Sequence, residues 1–231
     1  MKIVFISGAQ RAGTTMLEEL LNTHPKFMIT HELDWMHMLK NINGALFHPR
    51  HTSRRVLQYK GNYVPIFEEL YRQSSIKKLE FIGDKLPGYA DNYSLLLKFF
   101  PEAKHIFCLR NPLDVLNSMI SRAYDSQIGL DRGWEPELDI NKLCGKWKSA
   151  YESMVRFRKN NESNFLLMKY EDMTAMPDKF VLSLAEFLGA EPSFELKKVQ
   201  KGKTAREFLD ESAKSCILQN LGKYMRDEKY E

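Results

Sequence analysis

The segment VFISGAQRAGTTMLEELL, from Val4 to Leu21, constrains the fold more than any other stretch of the chain. Its apolar start reads as a buried strand, and the glycine-containing turn that follows runs directly into a helix-forming stretch. Gly8 and Gly13 have the spacing of the phosphate-cradling loop G-x-x-x-x-G-K-[ST], with Thr15 in the hydroxyl position. Thr14 stands where that loop has its lysine, and Arg11 places a cation inside the loop instead. Such a strand–loop–helix unit presents free N–H groups and partial positive charge to an anion. A tight strand–helix turn that binds nothing is the alternative reading of the same residues.

The rest of the chain repeats the alternation. Strands are expected over 79–85 (LEFIGDK), 104–110 (KHIFCLR) and 164–170 (NFLLMKY), which with the first makes four. Helices are expected over 14–22, near 32–41, over 92–99 up to Pro101, from Pro112 onward, over 140–160, and over 178–188 up to Gly189. Asn111 as a cap, Pro112 at the first helical position and Asp114 at the third form a strong helix start. Strands alternating with helices predict an α/β fold, a parallel β-sheet flanked by helices. Residues 1–231 read as a single domain. The irregular, basic and aromatic stretch 44–73 reads as an insertion, and the tail after Glu195 as partly helical.

Charge and composition narrow the partners. A net charge of +4 suits an anionic ligand and is too small to argue for nucleic-acid binding. No apolar run approaches the ~20 residues of a membrane span. Cys108, Cys144 and Cys216 are odd in number and lack CxxC spacing, which indicates neither a disulfide framework nor a zinc site and points to the reducing cytoplasm.

A second anion site is expected where the 104–110 strand ends in Arg110, directly before the capped helix. Asp114, Ser118 and Arg122 follow at four-residue steps and share one helix face. Arg110 and Ser118 gripping one anion is one reading; an Asp114–Arg122 surface stripe with Arg110 as an ion-pair partner is the other. A triphosphate site would instead need an acidic residue after an apolar strand to hold Mg²⁺. Asp84 in FIGD keeps that kinase reading open. Two separate cationic strand ends better suit a nucleotide with phosphates at two places.

Three stretches together resemble the sulfotransferases that use 3′-phosphoadenosine 5′-phosphosulfate (PAPS), whose fold is related to that of the P-loop NTPases. QRAGTT at 10–15 is similar to the family's 5′-phosphosulfate loop, with Gln10 in place of its proline and Ala12 in place of its serine. RNPLDVLNS, from Arg110 to Ser118, resembles its 3′-phosphate motif. KYEDMTAMPDKFVLSLAEFLG, at 169–189, resembles its post-strand Y-E-D segment and the helix after it. The resemblance implies PAPS as co-substrate, with Arg11, Ala12, Gly13, Thr14 and Thr15 at the 5′-phosphosulfate. It implies Arg110 and Ser118 at the 3′-phosphate, Tyr170 on the adenine side, and no metal.

Sulfuryl transfer to a hydroxyl or amine needs a base for the acceptor proton and cations for charge on the sulfuryl and leaving oxygens. Glu32 and His31, in THELDW, are candidate bases. Glu32 is placed like the catalytic glutamate of the tyrosylprotein and related Golgi-type branch, and His31 reads as its neighbour. An ordinary helix-start carboxylate is the alternative for Glu32. Lys85 resembles the lysine that this branch uses at the transition state; a surface lysine paired with Asp84 is its alternative. Arg122 matches a position near the 3′-phosphate. Trp35, His37, Tyr59, Tyr63 and the basic run 50–55 are candidates for an acceptor pocket or a solvated insertion. The cations Lys197, Lys198, Lys201, Lys203 and Arg206 read as a solvated face. The acceptor, a small molecule, carbohydrate or peptide, is left open. A P-loop kinase or NTPase and a non-catalytic nucleotide-binding module are the rival functions.

Overall fold

The computed structural model describes residues 2–32, 79–128, 137–199 and 207–230. The first apolar run forms β1 (Lys2–Gly8), whose Val4, Phe5, Ile6 and Ser7 are all buried. A strand covered on both faces reads as a continuous apolar run rather than an alternation. With β2 (Phe27–His31), β3 (Phe81–Lys85), β4 (Lys104–Leu109) and β5 (Phe165–Lys169) it makes a five-stranded sheet, ordered β2-β3-β1-β4-β5. Every pairing is parallel, as the alternation of strands and helices required.

The described sheet thus has five strands where four are expected. The addition is β2, FMITH, a five-residue strand at the sheet edge directly behind a turn. So short a run carries no clear period. It is fixed by contacts outside itself: Asn22 donates from Nδ2 to the Ile29 carbonyl and accepts the Ile29 N–H at Oδ1, both at 2.8 Å, and β3 supplies the ladder.

The helices are α1 (Thr14–Thr23), α2 (Tyr93–Phe99), α3 (Pro112–Gln127), α4 (Ile140–Arg158), α5 (Tyr170–Ala175), α6 (Pro177–Leu188) and α7 (Glu211–Asp227). Asn111 caps α3 as expected, its side chain accepting the Leu113 N–H at 3.0 Å. Gly189 closes α6 in the left-handed conformation. A 3₁₀ turn over Pro87–Asn92 moves the start of α2 to Tyr93, and α5 is a short helix not expected. α7 is the helix expected in the tail. The expected helix at 32–41 beyond its first residue, the 44–73 stretch, and Trp35, His37, Tyr59, Tyr63 and 50–55 lie outside the described residues, as do Lys201, Lys203 and Arg206.

Because all five strands run the same way, their carboxyl ends share one edge of the sheet. In strand order that edge carries Glu32 after β2, Lys85 at the end of β3, the glycine loop after β1, Arg110 after β4 and Tyr170 after β5. From β1 the sheet extends to β3 and β2 on one side and to β4 and β5 on the other. Open α/β sheets form their ligand crevice at such a reversal.

Candidate active site

The loop after β1 is shaped by close approach. A Cβ on Gly8 would lie 2.4 Å from the Cys108 carbonyl oxygen of β4, and one on Gly13 would lie 2.6 Å from the Tyr170 ring. Gly13 also has φ +94°, a conformation that disfavours side chains. Between them Arg11 holds φ +68° although it carries a side chain, a costly backbone state of the kind found at functional sites. Ala12 and Thr14 are buried, Thr15 is exposed at the start of α1, and Arg11 reaches outward.

Arg11 crosses to the second strand end. Its Nε donates to Ser118 Oγ at 3.0 Å, so a side chain of the first loop touches a side chain of α3. Arg110 stands beside them. Its NH1 is 3.4 Å from the Arg11 carbonyl oxygen, its guanidinium lies 4.2 Å from the centre of the Tyr170 ring, and its NH2 is 3.7 Å from Asp114. The Arg110 Nε is buried with no hydrogen-bond partner among the described residues. The Asp114 contact matches the ion-pair reading of Arg110, yet it leaves that Nε unused.

The Y-E-D segment locks this end together. Tyr170 sits between Gly13 and Arg110, and Glu171 Oε1 accepts the Asn111 N–H at 2.9 Å at the start of α3. Tyr230 donates its hydroxyl to Glu171 Oε2 at 3.1 Å, and burial together with Glu171 pushes that hydroxyl's pKa upward. Asn117, the neighbour of Ser118, accepts the Phe208 N–H at 2.8 Å. Lys197, by contrast, is exposed and pairs with Glu195.

On the other side of β1 lies a cluster of charges. Lys85 is 1% exposed, and its Nζ donates to Glu32 Oε1 at 2.6 Å. It is therefore not a surface lysine paired with Asp84. Asp84 is itself fully buried, with Oδ1 accepting from Thr30 and Oδ2 from Tyr89, each at 2.5 Å. The alternation of side chains along β3 sends the two residues to opposite faces, which explains the separation. Glu32 follows β2 at φ +52° and donates its N–H to the Lys85 carbonyl at 2.8 Å. Its carboxylate is half exposed, with one oxygen on a buried ammonium.

Glu18 completes the cluster and was not anticipated. This carboxylate of α1 is buried; its Oε2 lies 2.7 Å from His31 Nδ1 and 3.8 Å from Lys85 Nζ. Burial raises its pKa, partly offset by His31 and Lys85. The sequence does carry a signal. Thr14, Leu17, Glu18 and Leu21 form the buried seam of α1, and a carboxylate within such a seam calls for a partner.

The parallel sheet sets the fold class, and comparison with known proteins defines the family. Residues 4–195 match the model of the Sulfotransferase family, and the chain belongs to that family. Protein-tyrosine sulfotransferase A of Caenorhabditis elegans is 24% identical over 80% of this chain, and the Drosophila melanogaster protein-tyrosine sulfotransferase is 24% identical over 81%. The chain spans 49% and 38% of the lengths of those two proteins, respectively. Among solved structures, a sulfotransferase from Alicyclobacillus acidocaldarius superposes with a TM-score of 0.62 at 15% identity, covering 98% of this chain and 95% of that one, which shows the shared fold. No helix among the described residues is long and apolar enough to cross a membrane.

Proposed function

We propose that this chain transfers a sulfuryl group from PAPS to a hydroxyl-bearing acceptor, with Glu32 as general base. The observation that carries the reading is the 3.0 Å contact between Arg11 and Ser118, because it brings the loop after β1 against α3, beside Arg110, and so supports one nucleotide reaching both strand ends. A nucleotide phosphorylated at both 3′ and 5′ positions needs such a pair of sites. The cradle where a Cβ on Gly13 would strike Tyr170, and the orphaned Nε of Arg110, support the fit.

In this reading the donor supplies an activated sulfuryl group on a 5′-phosphate. The loop N–H groups, Thr14, Thr15 and Arg11 hold the 5′ end, Arg110 and Ser118 the 3′-phosphate, and Tyr170 the adenine side. Glu32 takes the acceptor's proton as the acceptor oxygen bonds to sulfur. The bond from sulfur to the 5′-phosphate oxygen breaks, and its electron pair stays on that phosphate. Lys85 and Arg11 stabilise the charge that builds on the transferring and leaving oxygens. The names of the worm and fly relatives support including tyrosine among the acceptors tested. The three free thiols, two of them buried, support a reducing compartment such as the cytoplasm.

The kinase alternative has less support. Thr14 occupies the lysine position, and both oxygens of Asp84 are engaged by Thr30 and Tyr89. Calorimetric titration with adenosine 3′,5′-bisphosphate in EDTA tests the choice. Tighter binding of the bisphosphate than of ATP with Mg²⁺ is expected, and the reverse order would overturn the reading.

A further inference from the structure

Transfer by this route changes the charge of the cluster in the middle of the reaction. Before transfer, buried Lys85 has a carboxylate of Glu32 at 2.6 Å. Once Glu32 holds the acceptor's proton it is neutral, and a buried ammonium without an anion is costly. Among the described residues Glu18 is the other carboxylate paired with it, 3.8 Å from the same Nζ. It is buried, so the field between it and Lys85 is poorly screened.

His31 holds Glu18 there. The shared oxygen Oε2 receives Nδ1 of His31 at 2.7 Å from one side and faces Lys85 from the other. β2 and β3 set His31 directly beside Lys85 in the ladder, so the three groups are fixed by α1 and two neighbouring strands. Asp84 adds negative charge from the same strand as Lys85, but its oxygens are held by Thr30 and Tyr89 on the opposite face.

Resting on the proposed transfer reaction, we infer that Glu18 is a positioning residue that becomes the counter-ion of Lys85 when Glu32 accepts the acceptor's proton. It has two effects. The ammonium stays charged and in place through transfer, and the negative charge of Glu18 makes Glu32 a readier proton acceptor. No bond to Glu18 forms or breaks, and the proton remains on Glu32 until solvent removes it from that half-exposed carboxyl.

The test uses Glu32→Gln as a mimic of the protonated base and needs no acceptor. With ¹⁵N-labelled lysine in the full chain, the Lys85 ammonium is titrated by NMR in Glu32→Gln and in Glu18→Gln/Glu32→Gln. Lys85 should deprotonate at least roughly a hundredfold more readily in the double variant than in the single one. Equal titration in the two would overturn the inference. Glu18→Gln alone, with its thermal unfolding measured alongside, provides the kinetic arm with 4-nitrophenol and a tyrosine peptide as acceptors. Expected are a kcat about 10–100-fold lower, a KM for PAPS within about twofold, and an acidic limb of the pH–rate profile moved to lower pH. A purely structural Glu18 would leave that limb in place. Wild-type kinetics in Glu18→Gln beside an inactive Glu32→Gln would sink this inference alone; an active Glu32→Gln would sink the base assignment beneath it.

Discussion

At the scale of single residues, the site is built from side chains in states that only their surroundings make acceptable. Arg11 and Glu32 both carry positive φ, and both hold charged contacts that fix them there. Arg110 is aimed by Tyr170 and Asp114 while its Nε is left without a partner among the described residues. Arg110→Ala should therefore weaken binding of adenosine 3′,5′-bisphosphate by about 1.5–3 kcal/mol and leave 5′-AMP nearly unaffected. Isothermal titration of both nucleotides reads this directly, and equal losses would remove Arg110 from the 3′-phosphate. Gly13→Ala puts a methyl 2.6 Å from the Tyr170 ring in a backbone conformation that alanine resists. A stability loss of about 1–3 kcal/mol is expected, together with loss of bisphosphate binding. Unchanged urea midpoint and affinity would show that the ring moves aside without cost.

Elements whose signals are local were legible in the sequence, and those fixed by distant partners were not. β1, its loop and α1 form one uninterrupted stretch in which apolar run, glycines and helix start follow each other. The Asn111–Pro112 start of α3 is equally local. Asn111→Ala should cost about 1 kcal/mol in denaturant unfolding, since the Leu113 N–H loses its cap; an unchanged midpoint would mean that water replaces the side chain freely. β2 escaped notice because five residues carry no period, and its position depends on Asn22 and on pairing with β3. The Glu18–His31–Lys85–Glu32 cluster illustrates the same limit. Glu32 and Lys85 were each singled out through resemblance, but no spacing shows that residues 53 apart share a hydrogen bond, or that a carboxylate of α1 stands behind them.

At the scale of the whole molecule, one core supports the strand ends that carry the candidate site and also makes stability depend on pH. His105 of β4 is fully buried among Phe5, Tyr93 and Phe157, with neither ring nitrogen bonded among the described residues. Burial pushes its pKa down to about 4. The unfolded chain takes up a proton as pH falls through the usual 6.5, whereas the folded chain does so only near 4. The contribution of His105 is thus fully favourable above pH 6.5 and falls by on the order of 3 kcal/mol as pH drops to 4. His24, lowered chiefly by burial, acts in the same direction; Glu18, raised by burial, acts in the opposite one. His105→Phe should flatten the decline between pH 6.5 and 4 in equilibrium unfolding, and an identical pH dependence would place the sensitivity elsewhere. One edge of the sheet carries both proposed halves of the site, the nucleotide end at Arg11, Arg110 and Tyr170 and the proton-accepting end at Glu32 and Lys85. Comparing Glu32→Gln with the wild-type chain, using PAPS with a panel of phenols, sugars, alcohols and a tyrosine peptide, tests the base assignment most directly. Bisphosphate affinity should stay within about twofold while transfer falls by roughly 10²–10⁴, and wild-type transfer by Glu32→Gln would contradict the account.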